Sequence, residues 1–405
     1  MDSWKLLVLL AAIVLGLRRN LTVGITLFGA GLLTALLYGV DSGRLIEGYW
    51  DLVRSERFLS ITGVIILITV MGSLLKELGF LEKLAVACSH LYGGARTAVA
   101  VLPFLIGLMP MPGGALLSAP LVDNVLKGSQ YSAEFKCAAN YWFRHVVEFF
   151  WPVYPGIILS AGMTGMSLSR IMLLQLPLTI IMIGLGALFF SRRVEIDRHN
   201  HVQMWRSLKG VLFTIWPIGL AILIFAITRI NLVYAVFVSL VAVVIVTRPA
   251  RAKLIYSFRQ GLSYKLVFMV FGILSFQTIL DLSGAVESIP GLTASLHLSP
   301  QVLIAIVCFV AGLLTGMVAA YVGMCYSLLA GLLYQPSLLP GNILLAYLSG
   351  YIGMLLSPTH LCLVVTSGYF RANLLGVYRI ILFPVILLCL LGYILSRSGW
   401  PSMFL

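Results

Sequence analysis

Long apolar stretches follow one another along this chain with only short polar joints between them. The clearest are residues 21–40, 58–75, 211–228, 232–246 with its flanks, and 380–395. A helix rises about 1.5 Å per residue, so about 20 apolar residues cross a hydrocarbon core roughly 30 Å thick. The pattern predicts an all-α polytopic membrane protein, with no soluble domain of useful size between the spans. Residues 4–17 are short for a span and match the core of a signal peptide in length. They lack a basic leading segment and a small-residue cleavage site, and we read them as a span.

The order of segments occurs twice. Leu17-Arg18-Arg19-Asn20-Leu21 recurs as Thr228-Arg229-Ile230-Asn231-Leu232, and Gly79-Phe80-Leu81-Glu82 as Gly284-Ala285-Val286-Glu287. Phe104-Leu105-Ile106-Gly107-Leu108 recurs as Phe309-Val310-Ala311-Gly312-Leu313, and Phe190-Ser191-Arg192 echoes Leu395-Ser396-Arg397. Each half reads as three spans, an amphipathic connector, a hairpin interrupted by Gly and Pro, a broken span and a last span. In the first half these are 4–17, 21–40, 58–75, 78–94, 95–127, 134–164 and 168–190. In the second they are 211–228, 232–247, 265–281, 284–299, 301–334, 342–370 and 377–395. A re-entrant hairpin does not cross, so each half crosses five times, and an odd number inserts the second half upside down.

Composition then identifies the solvent. The chain is 60% hydrophobic and 10% charged, with a mean hydropathy of +1.03. Soluble domains carry roughly a quarter charged residues, so lipid bathes this one. The net charge of +13 would point to nucleic acid in a soluble protein; here it reads as basic joints facing the cytoplasm, with no nucleic-acid partner. With the N-terminus outside, most of the 27 basic residues fall inside, among them Arg18, Arg19, Arg192, Arg193, Arg248, Arg251 and Lys253. Lys5, Arg44, Arg54, Arg57, Arg170, Arg229 and Arg397 fall outside. The six cysteines form no CxxC pair and read as small membrane residues, neither a disulfide framework nor a zinc site. The run Glu195-Ile196-Asp197-Arg198-His199-Asn200-His201 reads as a solvated linker between the halves.

Four breaks mark where chemistry is expected. Inverted repeats with interrupted helices are the sequence signature of carriers whose sites lie near the midplane. The breaks are Pro110-Met111-Pro112-Gly113-Gly114, Trp151-Pro152-Val153-Tyr154-Pro155-Gly156, the stretch from Thr315-Gly316 to Gly323, and Ser357-Pro358-Thr359-His360. Backbone groups freed there must face protein or a water-filled site. In the last, Ser357 is a good N-cap and Pro358 suits a first helical position. Intramembrane polar residues gather at the same places. Asn140, Arg144 and Glu148 recur every four residues, with His145 beside them, as one face of the helix entering the second break. That face reads as the wall of a substrate cavity, set against a plain Arg144–Glu148 structural ion pair. Pro112, Gly113, Gly114, Ser118, Tyr154, Ser357, Thr359 and His360 complete the expected binding set. Asp123, Glu148, Thr315 and Gly316 are the candidates for a coupling Na⁺ or H⁺. No metal site or other cofactor is expected.

The arrangement resembles the ion transporter superfamily of secondary transporters, which includes divalent-anion/sodium symporters and gluconate- and C4-dicarboxylate-type permeases. The motifs Pro110-Met111-Pro112-Gly113-Gly114 with Ser118-Ala119-Pro120, Asn140-Tyr141-Trp142-Phe143-Arg144-His145, and Ser357-Pro358-Thr359-His360-Leu361-Cys362 resemble an uncharacterised prokaryotic membrane family. It is known as the domain of unknown function numbered four hundred and one. The superfamily resemblance implies an elevator, in which hairpins and broken helices slide against a scaffold that forms a homodimer. It divides the chain into scaffold helices 1–80, hairpin and transport helices 81–193, a cytoplasmic linker 194–210, scaffold helices 211–283, and hairpin and transport helices 284–405. Superfamily tips carry Ser-Asn-Thr-type motifs, whereas this chain has Pro-Gly-Gly and a Gly-rich stretch.

The expected function is an ion-coupled permease for a small organic anion across the cytoplasmic membrane. The rivals are an intramembrane enzyme and a passive channel. No HExxH, GxSxG or aspartate-dyad pattern supports the enzyme.

Overall fold

A computed structural model describes residues 3–19, 21–89, 94–109, 114–195, 204–288, 298–335 and 337–400, and every regular element among them is helical. The first half runs α1 (Ser3–Arg18), α2 (Val23–Tyr38), α3 (Ser42–Arg54), α4 (Glu56–Glu77), α5 (Phe80–Ser89), α6 (Ala95–Gly107), α7 (Ala115–Val125), α8 (Ala133–His145), α9 (Pro155–Thr164) and α10 (Leu168–Phe189). The second runs α11 (Met204–Thr228), α12 (Leu232–Thr247), α13 (Arg251–Gly261), α14 (Tyr264–Ser283), α15 (Pro300–Thr315), α16 (Val318–Leu328), α17 (Pro340–Leu355), α18 (Leu361–Phe370) and α19 (Leu374–Arg397). A 3₁₀ turn, Ala285–Ser288, stands where α5 does in the first half. A short helical turn, Ala330–Leu333, precedes α17.

Apart from these two turns, the two orders match among the described residues, and the start signals repeat with them. Thr22 and Asn231 cap α2 and α12, and Ser167 and Asn373 cap α10 and α19, each accepting from a first-turn amide. Packing repeats as well. α2 lies along α14 while α12 lies along α4; α3 packs on α14 while α13 packs on α4. Among the inner helices, α9 meets α16 while α18 meets α7. Exchanging the halves turns each of these contacts into its counterpart. One crossing is close enough to need glycine on both sides. A Cβ on Gly24 would sit 2.5 Å from the Phe268 carbonyl, and one on Gly272 would sit 2.2 Å from the Gly24 carbonyl. Small residues at a crossing let two membrane helices approach backbone to backbone.

Five helical stretches are long and apolar enough to cross a membrane: Glu56–Glu77, Leu168–Arg193, Lys209–Thr228, Arg251–Ser283 and Leu374–Arg397. With the shorter apolar helices between them, they make this a multi-pass membrane protein. The structure adds two helices where the hydropathy pattern shows only joints. α3 is too short and too polar to register as a span, and the polar α13 registers only as the opening of the Arg251–Ser283 stretch that α14 completes. Asp41 caps α3, its Oδ2 accepting from Gly43 N at 2.8 Å and Arg44 N at 3.1 Å. Ile46, Trp50 and Val53 form an exposed apolar stripe along α3, and the Arg54 guanidinium sits 4.3 Å from the Trp50 ring. A surface helix with an apolar stripe and flanking charges suits the lipid–water boundary. α13 is tied to the end of α4, where Lys253 Nζ donates to the Glu77 carbonyl at 2.5 Å.

Candidate functional site

The breaks fall where expected, with two shifts. α8 ends at His145 and the chain tightens into a 3₁₀ turn, Val146–Phe149, before α9 restarts at Pro155. Asn140, Arg144 and Glu148 therefore do not share one continuous α-helical face, which corrects the stripe read from spacing. The last break also ends later than the cap signal suggests. α18 starts at Leu361 with His360 as N-cap, so Pro358 lies outside the helix. Ser357 turns back instead, donating to the Leu313 carbonyl at 2.7 Å and accepting from Thr359 N at 3.3 Å. The glycine-based break is confined to Thr315–Met317: Gly316 has φ of +61°, and a Cβ there would meet His360 N at 3.0 Å. Of the first break, residues 110–113, with Pro112 and Gly113, lie outside the described residues.

Carbonyls released at these breaks are satisfied by side chains from other helices. Tyr351 of α17 donates to the His145 carbonyl at 2.6 Å, and Tyr141 of α8 donates to the Leu355 carbonyl at 3.0 Å. The two broken helices thus cap one another. Tyr347 donates to the Glu148 carbonyl at 2.8 Å, Trp151 Nε1 to the Leu108 carbonyl at 2.9 Å, and Tyr154 to the Gly107 carbonyl. An unbonded carbonyl at this depth would cost several kcal/mol in lipid, so aromatic hydroxyls take the place of water.

The polar core lies between these ends. Arg144, His145, Glu148 and His360 are all buried. A Cβ on Gly114 would come within 2.8 Å of Arg144 Nη2, so the guanidinium lies flat against the glycine at the start of α7. His145 Nδ1 lies 2.6 Å from the Tyr141 carbonyl and His360 Nδ1 2.6 Å from the Gly316 carbonyl. The two Nε2 atoms face each other at 3.0 Å. Glu148 Oε1 stands 3.9 Å from His145 Nε2, while its Oε2 has no hydrogen-bond partner among the described residues.

Among the described residues, two sizeable cavities open along α4. One, about 490 Å³, is lined by Arg144, Glu148, Tyr154 and Cys362 together with α4 from Ile65 to Lys76. The other, about 1200 Å³ and mainly apolar, touches α4 from Arg57 to Val64, with Phe150, Arg170 and Arg229 in its wall. The second break, residues 150–155, contributes to both. The four helices that restart after a break, α7, α9, α16 and α18, begin without a side-chain cap.

The structure gathers Gly114, Arg144, His145, Glu148, Tyr154, Gly316, Thr359 and His360 around this centre. Other expected residues are occupied elsewhere. Asp123 pairs with Lys136 at 2.8 Å, and Lys136 precedes Arg144 by two helical turns, about 12 Å along α8. Thr315 bonds back to the Ala311 carbonyl at 2.8 Å, Ser118 to the Ala115 carbonyl at 3.5 Å, and Asn140 Nδ2 to Thr366 Oγ1 at 3.4 Å. Residues 196–201 of the acidic-histidine run lie outside the described residues. Sequence reasoning missed Tyr347, Tyr351 and Cys362. Tyrosines inside an apolar helix carry a signal, since a buried hydroxyl needs a partner; the lone cysteine carries none.

The fold and centre define a helical membrane protein of two matched halves with broken helices meeting at a buried polar site. The chain belongs to the family described as "Protein of unknown function (DUF401)", whose profile matches residues 2–397. Among solved structures it is similar to the YdaH transporter of Alcanivorax borkumensis, a crystal structure described as having an unusual topology. The two share 16% identity over 89% of this chain and 90% of that one, with a TM-score of 0.63. None of the curated proteins matches the sequence.

Proposed function

We propose that this protein is a secondary carrier that moves a small organic anion across the cytoplasmic membrane by alternating access. The observation that carries this reading is the pair of cavities along successive stretches of α4, with residues around the second break in the walls of both and Arg144 and Glu148 lining one. A carrier needs such an arrangement, because a solute must reach one site from either side without a continuous pore. The anion is inferred from the charge of Arg144 and the uncapped start of α18, where first-turn amides and the dipole favour negative charge. Arg144 takes the carboxylate, Tyr154 and Gly114 bound the pocket, and Glu148 is the carboxylate through which Na⁺ or H⁺ would couple. The likeness in fold to a transporter supports a carrier over an enzyme.

The matched helix order and exchanged packing support an inverted repeat, with the N-terminus outside and α5–α10 and α15–α19 sliding as an elevator. α1–α4 and α11–α14 would form the scaffold and a homodimer interface. The test is a melting screen of purified protein against small carboxylates, with and without Na⁺, since a ligand that binds the native state raises its apparent stability. At least one carboxylate should stabilise the wild type. Stabilisation by neutral solutes alone would overturn the anion reading.

A further inference from the structure

Both central histidines are held in one tautomer. Each Nδ1 faces a backbone carbonyl at 2.6 Å, Tyr141 for His145 and Gly316 for His360. A carbonyl only accepts, so each Nδ1 carries its hydrogen and donates it. Each neutral ring then keeps a bare lone pair at Nε2, and those two nitrogens face each other at 3.0 Å. Two lone pairs at that distance repel unless a positive centre joins them, and a proton or a metal ion could do so.

The surroundings favour the metal. Cys362 Sγ and one nitrogen of each histidine all lie within 4.8 Å of one another. Glu148 brings one carboxylate oxygen to 3.9 Å from His145 Nε2, and its other oxygen is buried with no hydrogen-bond partner. A shared proton would use two nitrogens and leave the Glu148 oxygen without a partner. Two histidines, a thiolate and a carboxylate are a donor set for a borderline-soft divalent ion. Ligating histidines are also commonly oriented by an Nδ1–H bond to a backbone carbonyl, as both are here.

We propose that His145 Nε2, His360 Nε2 and Cys362 Sγ, with Glu148 as fourth ligand, bind one divalent metal ion of the zinc class. In a tetrahedral site with metal–nitrogen bonds of about 2.0–2.1 Å the two nitrogens stand about 3.3 Å apart, so a small ring rotation from 3.0 Å seats the ion. Thiolate and carboxylate together offset the ion's two charges, which leaves the buried Arg144 guanidinium, lining the same cavity, as the net positive charge beside the site. Glu148 and Cys362 both line the 490 Å³ cavity, which gives the ion a way in. His145 comes from α8, while His360 and Cys362 come from the start of α18, so the ion would tie the broken helix of one half to that of the other. The site shares Glu148 and the start of α18 with the transport reading, and a bound metal ion would take the carboxylate oxygen otherwise left for Na⁺ or H⁺; the metal titration reads occupancy and not flux, so the two can fail separately.

The experiment titrates purified full-length protein with Co²⁺ and then with Zn²⁺. The wild type should take up one Co²⁺ per chain, with thiolate-to-cobalt charge-transfer absorption in the near ultraviolet and tetrahedral d–d bands in the visible. Zn²⁺ should abolish both and raise the melting temperature. Cys362→Ser should lose the charge-transfer band, and His360→Ala should bind at least about tenfold more weakly, the scale on which metal sites respond to loss of even an outer partner. No stoichiometric Co²⁺ uptake by the wild type overturns the proposal, as does an unchanged spectrum in Cys362→Ser. The wild-type titration needs no variant and Cys362→Ser is nearly isosteric, so misfolding of His360→Ala leaves the test intact. A protein that binds Co²⁺ in this way but responds to no carboxylate would overturn the anion reading and leave the metal site standing.

Discussion

Arg144 carries the sharpest question at the scale of single residues. A structural ion pair with Glu148 and a substrate contact make opposite predictions for the double variant. Removing one member of a buried pair costs about 3–5 kcal/mol, and removing both recovers much of that loss. A substrate contact is not recovered. Because the 3₁₀ turn at Val146–Phe149 takes Glu148 out of helical register with Arg144, we expect Arg144→Gln to abolish carboxylate-induced stabilisation. Arg144→Gln with Glu148→Gln should stay unresponsive, and Arg144→Lys should restore little, because a lysine cannot form the bidentate fork. Ligand-dependent melting of these variants checks it; recovery in the double variant would remove Arg144 from the binding site. Most of this centre was legible in the sequence, since a charged or histidine side chain in an apolar run needs a reason to be there. Asp123 carried the same signal for a different reason: it lies where Lys136 can reach it. Spacing along the chain records which residues share a helix, and not which helix from the other half arrives opposite them. Cys362 could not be assigned for that cause.

At the scale of elements, prolines and glycines located all four breaks, but the cap rules misplaced one helix start. Ser357 and Pro358 form a good local start signal, yet Ser357 bonds across to Leu313 and the helix begins at Leu361. Tertiary partners outbid a local cap when a buried carbonyl is at stake. α3 and α13 went unread because a search for long apolar runs passes over short amphipathic helices. The reciprocal caps tie the broken helices of the two halves together, and the tyrosine donors at the second break can be tested singly. Tyr351→Phe leaves the His145 carbonyl without its donor, and Tyr347→Phe does the same for Glu148. Each should lower stability by about 1–3 kcal/mol, the desolvation cost of a buried group left unbonded. Melting of the purified variants reads this out. Unchanged melting in both would mean that the breaks are held by something other than these hydroxyls.

At the scale of the whole molecule, the repeated order of helices was legible before any coordinates, because a duplicated chain keeps its segment lengths and joint residues. What the structure adds is the exchange of partners between halves: α3 on α14 against α13 on α4, and α9 on α16 against α18 on α7. If the halves are inverted, reporter fusions should place residues 191–209 and 248–264 in the cytoplasm and 284–299 outside. Hairpin tips entering from one face would contradict the inverted repeat.

The carrier claim itself is tested most directly by counterflow. Liposomes holding the purified protein are loaded with the carboxylate that gives the largest melting shift, then diluted into a trace of the labelled compound. A carrier with one site exposed alternately to each side should accumulate label transiently above its outside concentration, and the rate should saturate. Arg144→Gln should show neither. Label that only equilibrates, at a rate proportional to concentration and indifferent to preloading, would mean a channel and contradict the account.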